Sequence, residues 1–193
     1  MAAGTGLNVA HLDHGLRAAS VEDAAFVRRL ADALNLPCEI ARVEVAADAA
    51  RLGEGIEHAA REARYAFFAQ SAENVGAKTV AVAHHADDNV ETILFRLFRG
   101  TSLHGLGGMP IRRRLRESDG ESGLILIRPM LHQRRQQAVD YCRRAGLCWR
   151  EDASNADSVY RRNFLRNELL PAVRERVNPS ADDAILRLGR FAE

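Results

Sequence analysis

Residues 84–91 of this chain read His84-His85-Ala86-Asp87-Asp88-Asn89-Val90-Glu91, two imidazoles and three carboxylates in a single short run. Asp87 and Glu91 are four residues apart and Asp88 and Glu91 three apart, so on a helix they share a face. Carboxylates so placed can hold a Mg²⁺ ion through water, or hold an ammonium group and take its proton. The plain alternative is a capped, solvated helix start, where acids are common because the helix dipole favours negative charge. Further on come Arg96, Arg99, Gly100, Thr101, Ser102 and Gly105. Guanidinium groups beside a glycine suit an anion, and they equally suit the negative end of a helix.

Elements must present these groups. Residues 79–83 are apolar and β-branched, a strand; Val90, Ile93, Leu94, Leu97 and Phe98 repeat with helical spacing, which predicts a helix over 86–99. His84 and His85 then fall at the carboxyl end of a strand and Asp87 and Asp88 in the first turn of a helix. That end of an open α/β sheet is where ligands bind. The rest alternates in the same way. Strands are expected at 7–11, 38–45 and 124–127, with a short extended piece at 147–150. Helices are expected from Ser20 to about Leu34, and at 56–75, 132–145, 160–177 and 181–192. Residues 112–123, charged and glycine-containing, read as an exposed loop. The alternation predicts an α/β fold, a parallel sheet with helices on both faces and a small helical C-terminal part. Residues 1–130 form the α/β domain and 131–193 its helical extension.

The net charge of +1 hides an asymmetry: residues 1–95 carry 14 acids and 8 bases, residues 96–193 carry 12 acids and 19 bases. A basic second half suits a polyanionic partner, or is ordinary surface clustering. Cys38, Cys142 and Cys148 form no Cys-x-x-Cys pair and read as reduced thiols, which points to the cytoplasm. No apolar run reaches membrane-spanning length and no signal peptide is visible, so no membrane partner is expected.

Three other clusters stand out. His11-Leu12-Asp13-His14-Gly15-Leu16-Arg17 follows a strand and contains metal-ligand types, but a binuclear metallohydrolase of His-x-His-x-Asp-His type would need histidine where Val9 stands. Its plain reading is a loop hydrogen-bonded to its own backbone. Glu57, Arg61, Arg64 and Tyr65 lie on one amphipathic helix, where Glu57–Arg61 is an ordinary ion pair. Arg162, Asn163 and Arg166 lie on a basic helix that could rest on a phosphate backbone or simply face solvent.

Taken in order, these segments resemble the tRNA(Ile)-lysidine synthase family of PP-loop ATPases. The matching pieces are His11 to Arg17; Glu57 to Tyr65 as E-x-x-A-R-x-x-R-Y; His84 to Glu91 as H-x-x-D-D-x-x-E; Arg99-Gly100-Thr101-Ser102-Leu103; Arg128-Pro129; Asp152-x-Ser154-Asn155; and Arg162-Asn163-x-x-Arg166 running to Leu170-Pro171. The resemblance implies a Rossmann-like PP-loop fold and an ATP-dependent carbon–nitrogen ligase. ATP activates C2 of the wobble cytidine of a tRNA(Ile) with a CAU anticodon as an adenylate. The ε-amine of free L-lysine then attacks C2 and AMP leaves. ATP and Mg²⁺ are the implied cofactors, and a homodimer is a possible assembly.

The resemblance also assigns roles. Asp87, Asp88 and Glu91 would hold lysine or, through Asp88, Mg²⁺, with His84 shaping that pocket. Arg61, Arg64, Arg99 and Gly100 would face nucleotide or tRNA phosphates, and His11, Asp13 and His14 would border the nucleotide. Arg162, Asn163 and Arg166 would orient the tRNA or the neighbouring lobe. One crevice should therefore join Asp88 and Glu91 to Arg99 and His11. The family's Ser-Gly-Gly-x-Asp-Ser phosphate loop occurs nowhere in the 193 residues. The chain is thus expected to begin at the family's second strand, with the first strand and P-loop missing, and by itself not to adenylate tRNA. The alternatives are a non-catalytic tRNA-binding module, a metal-dependent hydrolase built on the His/Asp clusters, or a related tRNA-thiolating enzyme. Enzymes of that last kind usually carry cysteine pairs this chain lacks.

Overall fold

The computed structural model describes residues 6–17, 20–52, 55–117, 120–150 and 161–192. The motif residues Asp152, Ser154 and Asn155 lie outside them. The chain divides into two compact units, Met1–Val80 with Arg114–Leu126, and Ala81–Arg113 with Ile127–Glu193.

In the first unit, β1 (Val9–Asp13) pairs in parallel with β2 (Cys38–Arg42), in a register running from Val9↔Cys38 to Asp13↔Arg42. The crossover between them is α1 (Ser20–Ala33). It ends because Asn35 adopts φ +53°, a left-handed conformation that asparagine tolerates, and Leu36 N–H then returns to the Ala31 carbonyl at 2.9 Å. β1 starts two residues later than the sequence suggests. The strand is fixed by pairing with β2, and Leu7 stays solvent-exposed ahead of it.

Two helices follow, α2 (Val45–Leu52) and α3 (Ile56–Asn74). The first occupies residues where no helix was expected and where the strand was expected to reach Val45. Val45 and Ala49, one turn apart, are both buried and pack with Ala59 and Ala60 of α3. Small alanine faces let the two helices approach closely, but alanine carries little hydrophobic contrast, so the periodicity is faint in sequence.

A three-stranded sheet has the order β3 (Thr79–Ala81), β5 (Gly120–Ile127), β4 (Arg112–Glu117). Ile125 N–H donates to the Lys78 carbonyl and Val82 N–H to the Ile127 carbonyl, so both strands advance together and the β3–β5 pairing is parallel. Only two residues separate β4 from β5, which makes that pair antiparallel. The expected loop at 112–123 is therefore mostly a hairpin. Arg113 and Leu115 turn inward while Arg112 and Arg114 face solvent, and Leu115 packs with Leu124 and with Ala72 of α3. Charge on an outer strand blunts edge-to-edge pairing, which is why the segment reads as a loop.

The second unit is mainly helical: α4 (Ala86–Phe98), a 3₁₀ turn (His104–Gly107), α5 (Arg135–Arg144), α6 (Arg161–Phe164), a π-helical turn (Leu165–Leu169), α7 (Leu170–Arg176) and α8 (Ala181–Phe191). α5 starts three residues later than expected because tight turns bring Leu131 N–H to the Arg128 carbonyl and Gln133 N–H to the Met130 carbonyl. Residues 147–150 form no strand. Val90 and Ile93 of α4 are fully buried. Asn89 Oδ1 accepts from Met109 N–H at 2.7 Å, and Arg96 donates to the carbonyls of Gly105 and Gly108 at 3.0 and 2.6 Å. Arg96 thus serves the turn after α4 rather than a ligand. Gly108 has φ +75°, and a Cβ there would sit 2.4 Å from Asn89 Oδ1, so that turn requires glycine.

The fold is α/β with parallel strand pairing, crossover helices and a small helical C-terminal part, as the alternation predicts. Among the described residues the strands form two sheets, one of them carrying an antiparallel edge strand. No helix of the described residues is long and apolar enough to cross a membrane. The three cysteines are free thiols.

Candidate functional site

The start of α4 is a reciprocal cap. His85 stands at the N-cap; its Nδ1 accepts from Asp88 N–H at 3.3 Å, and Asp88 Oδ2 accepts from His85 N–H at 2.9 Å. Each side chain satisfies a backbone donor that the helix leaves open. Asp88 keeps its other oxygen free of the cap, and that oxygen meets Arg166 Nη2 at 3.3 Å.

Arg166 also clasps Glu91. Its Nε donates to Oε1 at 2.6 Å and its Nη2 to Oε2 at 3.1 Å, a two-pronged guanidinium–carboxylate contact. Glu91 is only 3 % exposed. Burial pushes its carboxyl above the usual range, and the hydrogen bonds and charge of Arg166 oppose that rise. Glu91 and Asp88 in turn hold the Arg166 guanidinium above its ordinary value despite its own burial.

Local geometry aims Arg166 here. Pro171 has no N–H for the Asn167 carbonyl and its ring crowds that carbonyl. The ladder widens before it, with Leu170 N–H donating to the Leu165 carbonyl, five residues back. Arg166 lies in this π turn, a geometry found frequently at functional sites.

Asp87 faces elsewhere. Its Oδ2 accepts from Arg135 N–H at 2.7 Å, at the first turn of α5, and its Oδ1 lies 3.7 Å from Arg134 Nη1. Arg134 reaches on to Asp182 at 3.4 Å and to Asp183, and Arg174 also holds Asp182, at 2.9 Å. Asp87 therefore ties α4 to α5, while the reactive-looking pair is Asp88 and Glu91. His84 is half-buried ahead of the helix, and Arg162 and Asn163 are half-buried on α6. Arg99 and Gly100 lie at the far end of α4, roughly 12 Å along its axis from Glu91. Arg99 stacks over Phe95 at 5.4 Å, and Gly100, at φ +73°, is exposed. The guanidinium that meets the acids is Arg166, not Arg99.

The first unit gathers a second cluster at the carboxyl end of β1. Asp13 is buried, its Oδ1 accepts from Gly15 N–H at 2.9 Å, and Arg42 lies 3.7 Å away. Burial pushes the Asp13 carboxyl up, but hydrogen bonding by Gly15 and Ser20 and the charges of Arg42 and His11 together bring it below its ordinary value. Arg64 of α3 directs Nη2 and Nε at His14 Nε2, at 3.0 and 3.3 Å. A guanidinium has no acceptor, so Nε2 must accept and the imidazole is neutral. Burial, then the Arg64 charge, lowers the His14 value accordingly; burial lowers that of His11. Arg61 is exposed and sits 4.9 Å over the Tyr65 ring.

The donor set does not describe a resident metal centre. Both Glu91 oxygens go to Arg166, those of Asp88 go to Arg166 and the His85 N–H, and no three His, Cys, Asp or Glu side chains converge among the described residues. A Mg²⁺ ion held by one or two carboxylates and by water needs no such cluster. The oxygens of Asp88 and Glu91 fit an organic cation exchanged against the guanidinium.

Sequence reasoning missed the Asp88–Glu91–Arg166 contact as a unit, since Arg166 lies 75 positions from Glu91. It also missed Arg134, Asn89 and an open groove of about 570 Å³ along the C-terminal half of α4, bordered by Phe95, Phe98 and Phe164. The i,i+3 spacing of Phe95 and Phe98 was the available signal for the last.

The family model that matches the chain describes a PP-loop domain and covers residues 2–173. A tRNA(Ile)-lysidine synthase of Thermus thermophilus is 45% identical over 185 residues, which is 96% of this chain and 33% of that protein. One from Dehalococcoides mccartyi is 43% identical over 191 residues, 98% of this chain and 40% of that protein. The chain thus spans about a third of the length of the first of these relatives. Among solved structures, the U34-tRNA thiolase NcsA from Methanococcus maripaludis with its [4Fe-4S] cluster aligns with a TM-score of 0.63 at 12% identity. That alignment covers 96% of this chain and 61% of that one, and it shows a shared fold.

Proposed function

This chain belongs to the PP-loop domain family, and from that membership we propose that it serves the amine-transfer half of a tRNA(Ile)-lysidine synthase reaction. The observation that carries the reading is the carboxylate pair Asp88–Glu91 held by Arg166 at the start of α4. The relatives at 43% and 45% identity bear the lysidine synthase name.

In this reading ATP adenylates C2 of the wobble cytidine and releases pyrophosphate. The ε-amine of lysine arrives as an ammonium and exchanges for part of the Arg166 contact. It must lose a proton before it can attack C2 and expel AMP. Glu91 suits that transfer because burial raises its affinity for a proton. Asp88, fixed by the His85 cap, orients the ammonium. Arg166 is a positioning residue, holding Asp88 and the buried Glu91 in place when lysine is absent. Asp87, His84, Arg162 and Asn163 support the pocket, and the helical residues 131–193 act with the α/β domain. His11, Asp13, His14, Arg61 and Arg64 border nucleotide or RNA phosphates. This assignment places the protein in the cytoplasm, with ATP, lysine and tRNA(Ile) as substrates and with a homodimer as one assembly.

Calorimetric titration of the chain with L-lysine tests it. The expected result is saturable binding that falls at least tenfold in Asp88→Asn and Glu91→Gln, while L-norleucine, which lacks the ε-amine, does not bind. Lysine binding unchanged in both variants, or none in the native chain, overturns the assignment.

A further inference from the structure

The groove along the C-terminal half of α4 has a composition no step above uses. Its walls are Phe95, Phe98, Phe164 and Leu165, and its rim carries Arg99 and Arg161; among the described residues no carboxylate lines it. Phe98 is 63% exposed and Phe164 44%, so phenyl faces are open to a partner. Arg99 already stacks on Phe95. Flat apolar faces flanked by guanidinium groups match a nucleobase with its phosphate, since every base offers a π face and phosphates attract arginine. A second copy of this chain fits poorly, because a two-fold contact through this face would bring Arg99 and Arg161 near their own duplicates.

We propose that the groove seats the unpaired base adjacent to the cytidine that reacts. The inference rests on the lysidine synthase reading and adds a subsite to it. Phe95 and Phe98 lie about 6 and 10 Å along the α4 axis from Glu91, so a base stacked there neighbours one presented to the acids. Arg166 and Phe164 come from the same helical run, so a single element shapes both places.

The test uses an anticodon stem–loop RNA carrying 2-aminopurine beside the wobble cytidine, titrated into the full chain. Stacking on the native chain quenches the fluorophore. Phe98→Leu and Phe164→Ala are expected to lose that quenching and to bind about tenfold more weakly. Phe98→Trp should keep both, which separates stacking from a folding defect. Arg161→Gln should lower the slope of log affinity against log salt by about one. If the native chain binds with quenching that Phe98→Leu and Phe164→Ala leave unchanged, the subsite is wrong while the lysidine reading stands. Loss of self-association in sedimentation, with RNA affinity intact, assigns the groove to a second copy and also overturns the proposal. No RNA binding by the native chain removes both readings.

Discussion

Arg166→Met should destabilise the folded chain by about 3 kcal/mol at neutral pH, a large effect for a position partly open to solvent. Glu91 is nearly fully buried and both its oxygens rest on that one guanidinium. Methionine preserves much of the side-chain volume and removes the charge, stranding a carboxylate in a low-dielectric site. Breaking a buried pair in this way costs roughly 3–5 kcal/mol, and the lower end applies because Arg166 keeps a third of its surface in water.

The pH dependence fixes the cause. Burial already holds the Glu91 carboxyl above its unfolded value, and loss of Arg166 removes the main opposing influence. A raised folded pKa means the folded state takes up a proton more readily than the unfolded one. The variant is therefore relatively stable below the ordinary glutamate range and loses that stability as pH rises through the raised value. Urea midpoints should show a wide gap between Arg166→Met and the native chain near pH 7 and a narrower one near pH 5. Adding Glu91→Gln to the variant should recover part of the loss at neutral pH, since no buried charge remains. A gap that does not change with pH, or a double variant no better than the single, would mean that Arg166 contributes by packing alone.

That prediction turns on a contact between residues 75 positions apart, and the distance in sequence explains what could be read beforehand. The α4 helix was legible because its signals are local: apolar residues at helical spacing, acids in the first turn and a strand just before it. The crossover from β1 through α1 to β2 was legible for the same reason. α2 was not, because alanine at 46, 47, 49 and 50 favours a helix without marking a face. The β4–β5 hairpin was not, because Leu115 and Leu124 are few among charged neighbours and only pairing shows them to be one face.

The candidate site divides along similar lines. The residue types were visible, and Asp88 and Glu91 stand where their spacing placed them. Which arginine would meet them was not visible. Arg99, adjacent in the motif, sits at the opposite end of the helix, and Arg166 arrives through a π turn set by Pro171. Asp87, chemically the twin of Asp88, is diverted to the first turn of α5 by a backbone donor at residue 135. Identical side chains one position apart on a helix point about 100° apart, and their partners then decide their roles.

The second large effect concerns what keeps α4 in place. Ile93 is 1% exposed in the middle of that helix, and its Cδ1 lies only 2.8 Å from where a Cβ on Gly189 of α8 would stand. Its Cγ1 would be 3.0 Å from a Cβ on Gly108. Ile93→Ala should cost about 2–5 kcal/mol, the range for truncating a buried aliphatic side chain and leaving a cavity. Gly189→Ala isolates the contact. In an otherwise native chain the added methyl must push against Ile93, and such overpacking costs about 1–3 kcal/mol. That outweighs the roughly 1 kcal/mol gained by replacing glycine inside a helix. In the Ile93→Ala background the same methyl enters vacated space and keeps the helix gain, so Gly189→Ala should change sign and become stabilising. Denaturant titration of the native chain, both single variants and the double variant closes this cycle. Additive losses would show that α8 yields at residue 189, and that α4 is not held by close packing there.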